Sequence, residues 1–289
     1  MPLKHPYTEL NDGEWHLRVL GEAWSEGLWQ AVARTIGRQP AHKHPQTVRL
    51  EPSDGKTASA LFLKIFQPPA GFDAVKDFFR GAKATRFLRQ SVLLSAAGFF
   101  VPTVVAAGEE RRGRRLKRAF VLTWEIPGEP VPLFLRNRYE GPTGLAWMEK
   151  RLGLESLGRE IRRLHDAGFV HGDLVPSNIF VLRERDRGFR YYLMDHDRTR
   201  RYPKWFAQSL WQRNLVQLNR FPLPGITLQD RIRFFRAYSG RPDWSDAERR
   251  LLSWLERKTR ERRKECDAVD PTGSFRRLMS WKKEMAAEV

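Results

Sequence analysis

The residues with the clearest chemistry lie in one short stretch, His171-Gly172-Asp173-Leu174-Val175-Pro176-Ser177-Asn178, with Asp195 seventeen residues beyond Asn178. Transfer of a phosphoryl group from ATP requires few groups, because positioning and charge neutralisation do most of the work. One carboxylate must orient the acceptor hydroxyl and take its proton. An amide oxygen and a second carboxylate must hold Mg2+ on the phosphates, and a lysine must neutralise the phosphates that are not transferred. Asp173, Asn178, Asp195 and Lys64 supply these four roles.

The spacing has a physical reason. Asp173 and Asn178 are five residues apart on one loop, so both can reach one cleft, and Pro176 stiffens the chain between them. Two apolar runs follow, Ile179-Phe180-Val181-Leu182 and Tyr191 to Met194. Paired as a hairpin, they point Asp195 back at Asn178. His171 reads as a structural histidine that hydrogen-bonds the loop, since Asp173 supplies the proton acceptor. Lys64, a lone charge between Leu63 and Ile65, reads as the phosphate lysine or as a lysine snorkelling at a sheet edge. Asp197 reads equally as a second metal ligand or as a cap for the segment after it. His42-Lys43-His44 offers two histidines without a third ligand, which suits a polar loop near phosphate better than a metal site.

Elements must hold these groups in place. Thr47–Leu50 and Ala58–Phe66 read as strands joined by a Ser53-Asp54-Gly55 turn. Residues 72–97 read as a helix stopped by Gly98, with Phe78, Phe79, Phe87, Leu88 and Val92 on its apolar face. Val101–Ala107 and Ala119–Glu125 read as strands around a basic loop, Arg111–Arg118. Pro127, Gly128, Pro130 and Pro132 form a cluster of chain breakers, where a boundary is expected between residues 1–126 and 127–289. Leu145–Ala167 reads as a helix burying Leu152, Leu157, Ile161 and Leu164 and ended by Gly168. Ser245 to Glu248 forms a capping box that opens a basic helix toward Lys264, with Leu251, Leu252, Trp254 and Leu255 in a core. Strands thus dominate the first part and helices the second. The expected class is α+β, a small antiparallel-sheet lobe with a larger helical lobe, in the chain order of a kinase-like fold.

With 41% hydrophobic residues in 289, the chain can build real cores. Lys and Arg number 52 against 34 acidic residues, a formal charge of +18, which favours some polyanionic partner. There is no zinc pattern, RNP-type aromatic motif or basic zipper, which argues against nucleic acid. The single cysteine, Cys266, allows no internal disulfide, and a reducing compartment is compatible. Residues 1–15 lack an apolar stretch of signal-peptide length, and Val92–Ala107 is too short and too broken to span a bilayer. A cytoplasmic location, with peripheral contact to a membrane surface, is therefore expected. Arg111–Arg118 and Arg249–Lys264 are either solvated charged faces or attractors of anionic headgroups.

The stretch 171–178, the preceding Leu164-His165-Asp166-Ala167-Gly168-Phe169-Val170, and Tyr192-Leu193-Met194-Asp195-His196-Asp197-Arg198 resemble the lipopolysaccharide core kinases, the Kdo and heptose kinases. These are kinase-fold enzymes of Gram-negative bacteria that phosphorylate inner-core sugars. The resemblance spans residues from about Val48 to Gly240 and is strongest over 164–198. It implies Asp173 as catalytic base, Asn178 and Asp195 as magnesium ligands, and Lys64 as the phosphate-binding lysine. It also implies Ala119–Glu125 as the strand against which adenine lies, with Glu125 at the nucleotide. The implied acceptor is an anionic glycolipid or sugar. The sequence departs from the kinase pattern in three places. No Glu lies between Lys76 and Gly108 to partner Lys64, a region where Phe87 stands instead. No glycine-rich loop precedes Lys64, a place that Arg38–Pro45 could fill. Gly172 stands where protein kinases carry Arg, and no Ala-Pro-Glu follows Asp195. The alternatives are a kinase for another small molecule or a protein, and a pseudokinase that only binds.

Overall fold

The computed structural model describes residues 7–39, 46–51, 60–67, 82–113, 115–136, 144–184, 188–220, 223, 225–241 and 243–269. The chain divides into two compact units, Met1–Pro127 with Asp195–Arg198, and Gly128–Met194 with Thr199–Val289.

The first unit is a six-stranded antiparallel sheet in the order β1-β2-β5-β6-β4-β3. The strands are β1 (Tyr7–Asp12), β2 (Trp15–Leu20), β3 (Gln46–Leu50), β4 (Leu61–Phe66), β5 (Val104–Arg112) and β6 (Arg115–Trp124). Helix α1 (Glu26–Arg38) is opened by Ser25, whose hydroxyl accepts from the Leu28 N–H at 3.2 Å. Its Trp29, Val32 and Ile36 pack on one face of the sheet, against Leu61, Leu63, Ile65 and Phe120. Helix α2 (Lys83–Ala96) covers the other face with Ala84, Phe87 and Leu88, against Phe66, Val104, Ala119 and Val121. Alternation along β4 decides where Lys64 goes. Leu61, Leu63 and Ile65 face α1, so Lys64 faces the α2 side.

Several expectations need correction here. The helix expected from residue 72 does not run unbroken, because Ala82 is extended and α2 starts at Lys83; residues 68–81, with Phe78 and Phe79, lie outside the described residues. The basic segment 111–118 is mostly strand rather than loop. Its cations pair with acids: Arg118 with Glu110 at 2.6 Å and Arg111 with Glu109 at 2.7 Å. Lys64 is not at a sheet edge, since β4 lies between β6 and β3. The Ser53-Asp54-Gly55 turn and His42-Lys43-His44 lie outside the described residues.

The second unit is built on helix α4 (Leu145–Asp166). The breaker cluster forms β7 (Glu129–Pro130) and the short helix α3 (Val131–Arg136), which carries Pro132 in its first turn. Strands β9 (Ile179–Glu184) and β10 (Gly188–Leu193) pair as a hairpin, Ile179 opposite Leu193, and β7 joins it. Strand β8 (Phe169–Val170) pairs with β11 (Arg200–Arg201). Helices α5 (Lys204–Leu218), α6 (Leu228–Ser239) and α7 (Asp246–Val269) complete the unit. Ser245 and Glu248 cap α7 reciprocally, the Glu248 carboxylate accepting from the Ser245 N–H at 2.8 Å. On α4 the buried stripe includes Leu154, Leu157, Ile161 and Leu164, whereas Leu152 is 50% exposed. The turn of the helix places Leu154, not Leu152, on the inward face. On α7 Leu255 is buried, and Leu251, Leu252 and Trp254 are half-buried.

Gly158 sets the approach of α4 to α6. A Cβ there would lie 2.5 Å from the Phe234 carbonyl oxygen, a backbone atom that can yield only by moving the helix. Gly158→Ala is expected to destabilise the protein by about 1–3 kcal/mol, read as a lower urea midpoint.

Candidate active site

The loop 171–178 is held from three directions within the second unit. Its own turns come first: the Val175 N–H donates to the Asp173 carbonyl and the Asn178 N–H to the Val175 carbonyl, both at 2.9 Å. The Asn178 side-chain amide then donates back to the Asp173 carbonyl at 3.0 Å and to its carboxylate at 3.5 Å. With the nitrogen engaged, the Asn178 amide oxygen remains as an acceptor, the kind of hard oxygen donor that suits magnesium.

His171 is fully buried. Its Nε2–H donates to the Met194 carbonyl at 2.8 Å and its Nδ1 accepts from the Asp173 N–H at 3.2 Å, which fixes one neutral tautomer. The Met194 N–H donates to the Asn178 carbonyl at 2.8 Å. The loop and the end of the β9–β10 hairpin are therefore fastened to each other immediately before Asp195. His171 is structural, as its position suggested.

The third hold comes from α5, and no local motif announces it. Asn214 accepts from the His171 N–H at 3.0 Å and donates to the His171 carbonyl at 2.6 Å. Gln217 accepts from the Leu174 N–H at 3.3 Å and donates to the Gly172 carbonyl at 3.4 Å. Behind Asn214 stands His165 of α4, whose Nε2–H donates to the same Asn214 oxygen at 3.4 Å. The Tyr238 hydroxyl of α6 donates to His165 Nδ1 at 2.9 Å. A continuous buried chain of hydrogen bonds thus runs from α6 through α4 and α5 to the loop. Polar residues within helices read as solvent-facing, and no spacing rule marks Asn214 or Gln217 as anchors.

In the first unit, Lys64 on β4 forms an ion pair with Asp195. Asp195 is the one non-glycine residue at positive φ among the described residues, at 48°. A left-handed aspartate costs about 1–2 kcal/mol, and such strain concentrates at functional positions. The residue after it, His196, is fully buried. Its Nε2 bonds Ser91 Oγ at 2.6 Å, and its ring lies 4.2 Å from that of Phe87, both on α2. Phe87 therefore supports the segment that carries Asp195. Burial pushes the Asp197 carboxyl up, while Lys64, Arg198 and Arg86 pull it back. At Glu125 the N–H donates to the Ala60 carbonyl at 2.8 Å and the carboxylate accepts from Arg49 at 3.3 Å. Among the described residues no group of three or more His, Cys, Asp and Glu gathers as a metal cluster.

The family model described as Lipopolysaccharide kinase (Kdo/WaaP) family matches residues 75–238, more than half of the chain. The chain belongs to the Kdo/WaaP family. Membership makes it a phosphotransferase and places His171–Asn178 and Asp195 inside the family region. Among solved structures, "WaaP in complex with acyl carrier protein" matches with a TM-score of 0.57 and 23% identity, covering 82% of this chain and 95% of that one. That likeness establishes the kinase-like α+β fold. The kinase domain of Mycobacterium tuberculosis PknI aligns over 76% of this chain and 92% of its own, at 15% identity and a TM-score of 0.38. A comparison with curated proteins gives no match. Among the described residues of this Kdo/WaaP-family chain, no helix is long and apolar enough to cross a membrane.

Two outcomes follow for the buried network. Burial lowers the His165 pKa from 6.5 to about 4, so the unfolded chain takes up this proton before the folded one does. The stability it contributes is complete above pH 6.5 and is lost as pH falls toward 4, at about 1.4 kcal/mol per pH unit. Urea titrations across that window are expected to show this slope, and His165→Gln to flatten it. Asn214→Ala strands the N–H and carbonyl of His171, each at a cost of about 1–3 kcal/mol, which the same titrations read at pH 7.

Proposed function

We propose that this chain transfers the terminal phosphoryl group of ATP to a hydroxyl of a lipopolysaccharide inner-core sugar, Kdo or heptose, at the cytoplasmic face of the inner membrane. The family match over residues 75–238 is the observation that carries this reading. In it Asp173 accepts the proton of the acceptor hydroxyl as that oxygen bonds to the γ-phosphorus, and the bond from phosphorus to the ADP oxygen breaks. The Asn178 amide holds the Asp173 backbone through its carbonyl and touches the carboxylate itself at 3.5 Å, which orients Asp173 for that role. Asn178 and Asp195 would hold Mg2+, which when bound neutralises charge on the phosphates. Lys64 neutralises the phosphates that remain with ADP, and its pairing with Asp195 keeps the ammonium oriented without a helix glutamate. Glu125, with Arg49 on its carboxylate, follows the strand β6 on the adenine side.

The acceptor is an anionic glycolipid in this reading, and the charge of +18 suits it. The WaaP structure that this fold matches holds an acyl carrier protein, so a carrier protein is a second candidate partner for the basic surface.

Purified protein supplied with ATP, magnesium and core lipopolysaccharide is expected to yield phosphorylated acceptor by mass spectrometry. Asp173→Ala is expected to lower kcat by about 10²–10⁴-fold with the fold intact by circular dichroism. Lys64→Met is expected to raise the KM for ATP more than it alters acceptor KM. Equal product from wild type and Asp173→Ala would defeat the assignment.

A further inference from the structure

Trp205 is 85% exposed and its neighbour Phe206 is 53% exposed, in the first turn of α5. Leaving two large aromatic side chains side by side in water carries a cost that a soluble surface has no reason to bear. Their ring centroids lie 5.9 Å apart, edge to face, and Tyr202 packs on Phe206 at 5.7 Å, so the three form one aromatic patch. Cations surround it: Arg200, Arg201 and Lys204 are all exposed. Beside the patch lies a recess of about 380 Å³ lined by Gly168, Arg201, Tyr202 and Lys204 together with Asp166. Asp166 is already matched by Arg162 at 2.8 Å, so Arg201 and Lys204 set the sign of the recess.

We propose that this patch is where the protein docks onto an anionic lipid surface. Indole and phenyl rings suit the boundary between headgroups and acyl chains, where the apolar ring leaves water and the indole N–H stays wet. Arginine and lysine at the rim pair with lipid phosphates, and the recess admits a headgroup between Arg201 and Lys204.

The position ties docking to chemistry. Arg200 pairs in register with Val170, the residue before His171, and the Tyr202 N–H donates to the Gly168 carbonyl at 2.8 Å. Gly168, at φ 85°, has no room for a Cβ, which would lie 2.7 Å from the Tyr202 oxygen. The helix that begins at the patch grips the loop with Asn214 and Gln217 two to three turns later, a rise of about 15 Å. A membrane-borne acceptor held at the patch is thereby presented to a loop in fixed relation to it.

The inference rests on the reading that the acceptor is membrane-borne, but its test needs neither ATP nor acceptor. Full-length protein is centrifuged with vesicles of phosphatidylcholine alone and of phosphatidylcholine mixed equally with phosphatidylglycerol. Wild type is expected to sediment with the anionic vesicles. Trp205→Ser with Phe206→Ser, and separately Arg200→Glu with Lys204→Glu, are each expected to weaken binding about tenfold or more. The charge reversals lie at exposed positions and keep the test valid should the aromatic pair prove necessary for folding. Failure of wild type to bind anionic vesicles would overturn the proposal, as would unchanged binding by both variants. A shift of the aromatic variant from oligomer to monomer on gel filtration, with vesicle binding unaltered, would overturn it in favour of a contact between copies. Loss of phosphate transfer alone would leave docking standing, and loss of docking alone would leave the kinase reading standing.

Discussion

One buried amide carries much of the second unit. Asn214 satisfies both backbone groups of His171 while receiving the His165 ring N–H, in a place that water does not reach. A backbone N–H and carbonyl stranded there would be costly, so the loop has little freedom to take another path. Everything downstream inherits that fixity. His171 holds Met194, Met194 holds Asn178, and Asn178 holds Asp173. Each bond is ordinary, and the rigidity comes from their forming an unbroken series whose far end is the Tyr238 hydroxyl.

The first unit shows a different economy. Its sheet is well filled on both faces, yet the segment that matters is strained: Asp195 takes a backbone conformation that L-residues avoid. The strain persists because the next residue is over-determined, with His196 fully buried, hydrogen-bonded to Ser91 and packed on Phe87. Helix α2 thereby steadies the segment that carries the carboxylate paired with Lys64. Lys64 is thus oriented indirectly, through a carboxylate whose own peptide is pinned to α2.

What could be read from the sequence depended on whether the signal was local. The hairpin 179–193 and the loop before it are legible, because two short apolar runs flanking a charged turn and a fixed Asp–Asn spacing state their own geometry. Helix α4 is legible from its apolar repeat, though that repeat also admits Leu152, which the fold leaves half exposed, since a helix with exposed leucines offers more than one stripe. The β1–β2 hairpin carries only one local signal, Asp12-Gly13 at its tip. Its first strand, largely exposed, lacks the alternation that marks a core. Asn214, Gln217 and Ser91 had no local signature at all. Their importance comes from burial against residues 43 to 105 positions away, which only the folded chain defines.

The four residues Asp195–Arg198 belong to the sheet unit, although the chain on either side of them belongs to the helical one. Lys64 must therefore wait for a partner 131 residues later. During synthesis on the ribosome, Met1–Pro127 emerges long before the carboxylate that matches its lysine and the imidazole that fills the space over Phe87 and Ser91. The sheet unit is then finished late, when Asp195 and His196 supply the partner of Lys64 and the ring that packs on Phe87.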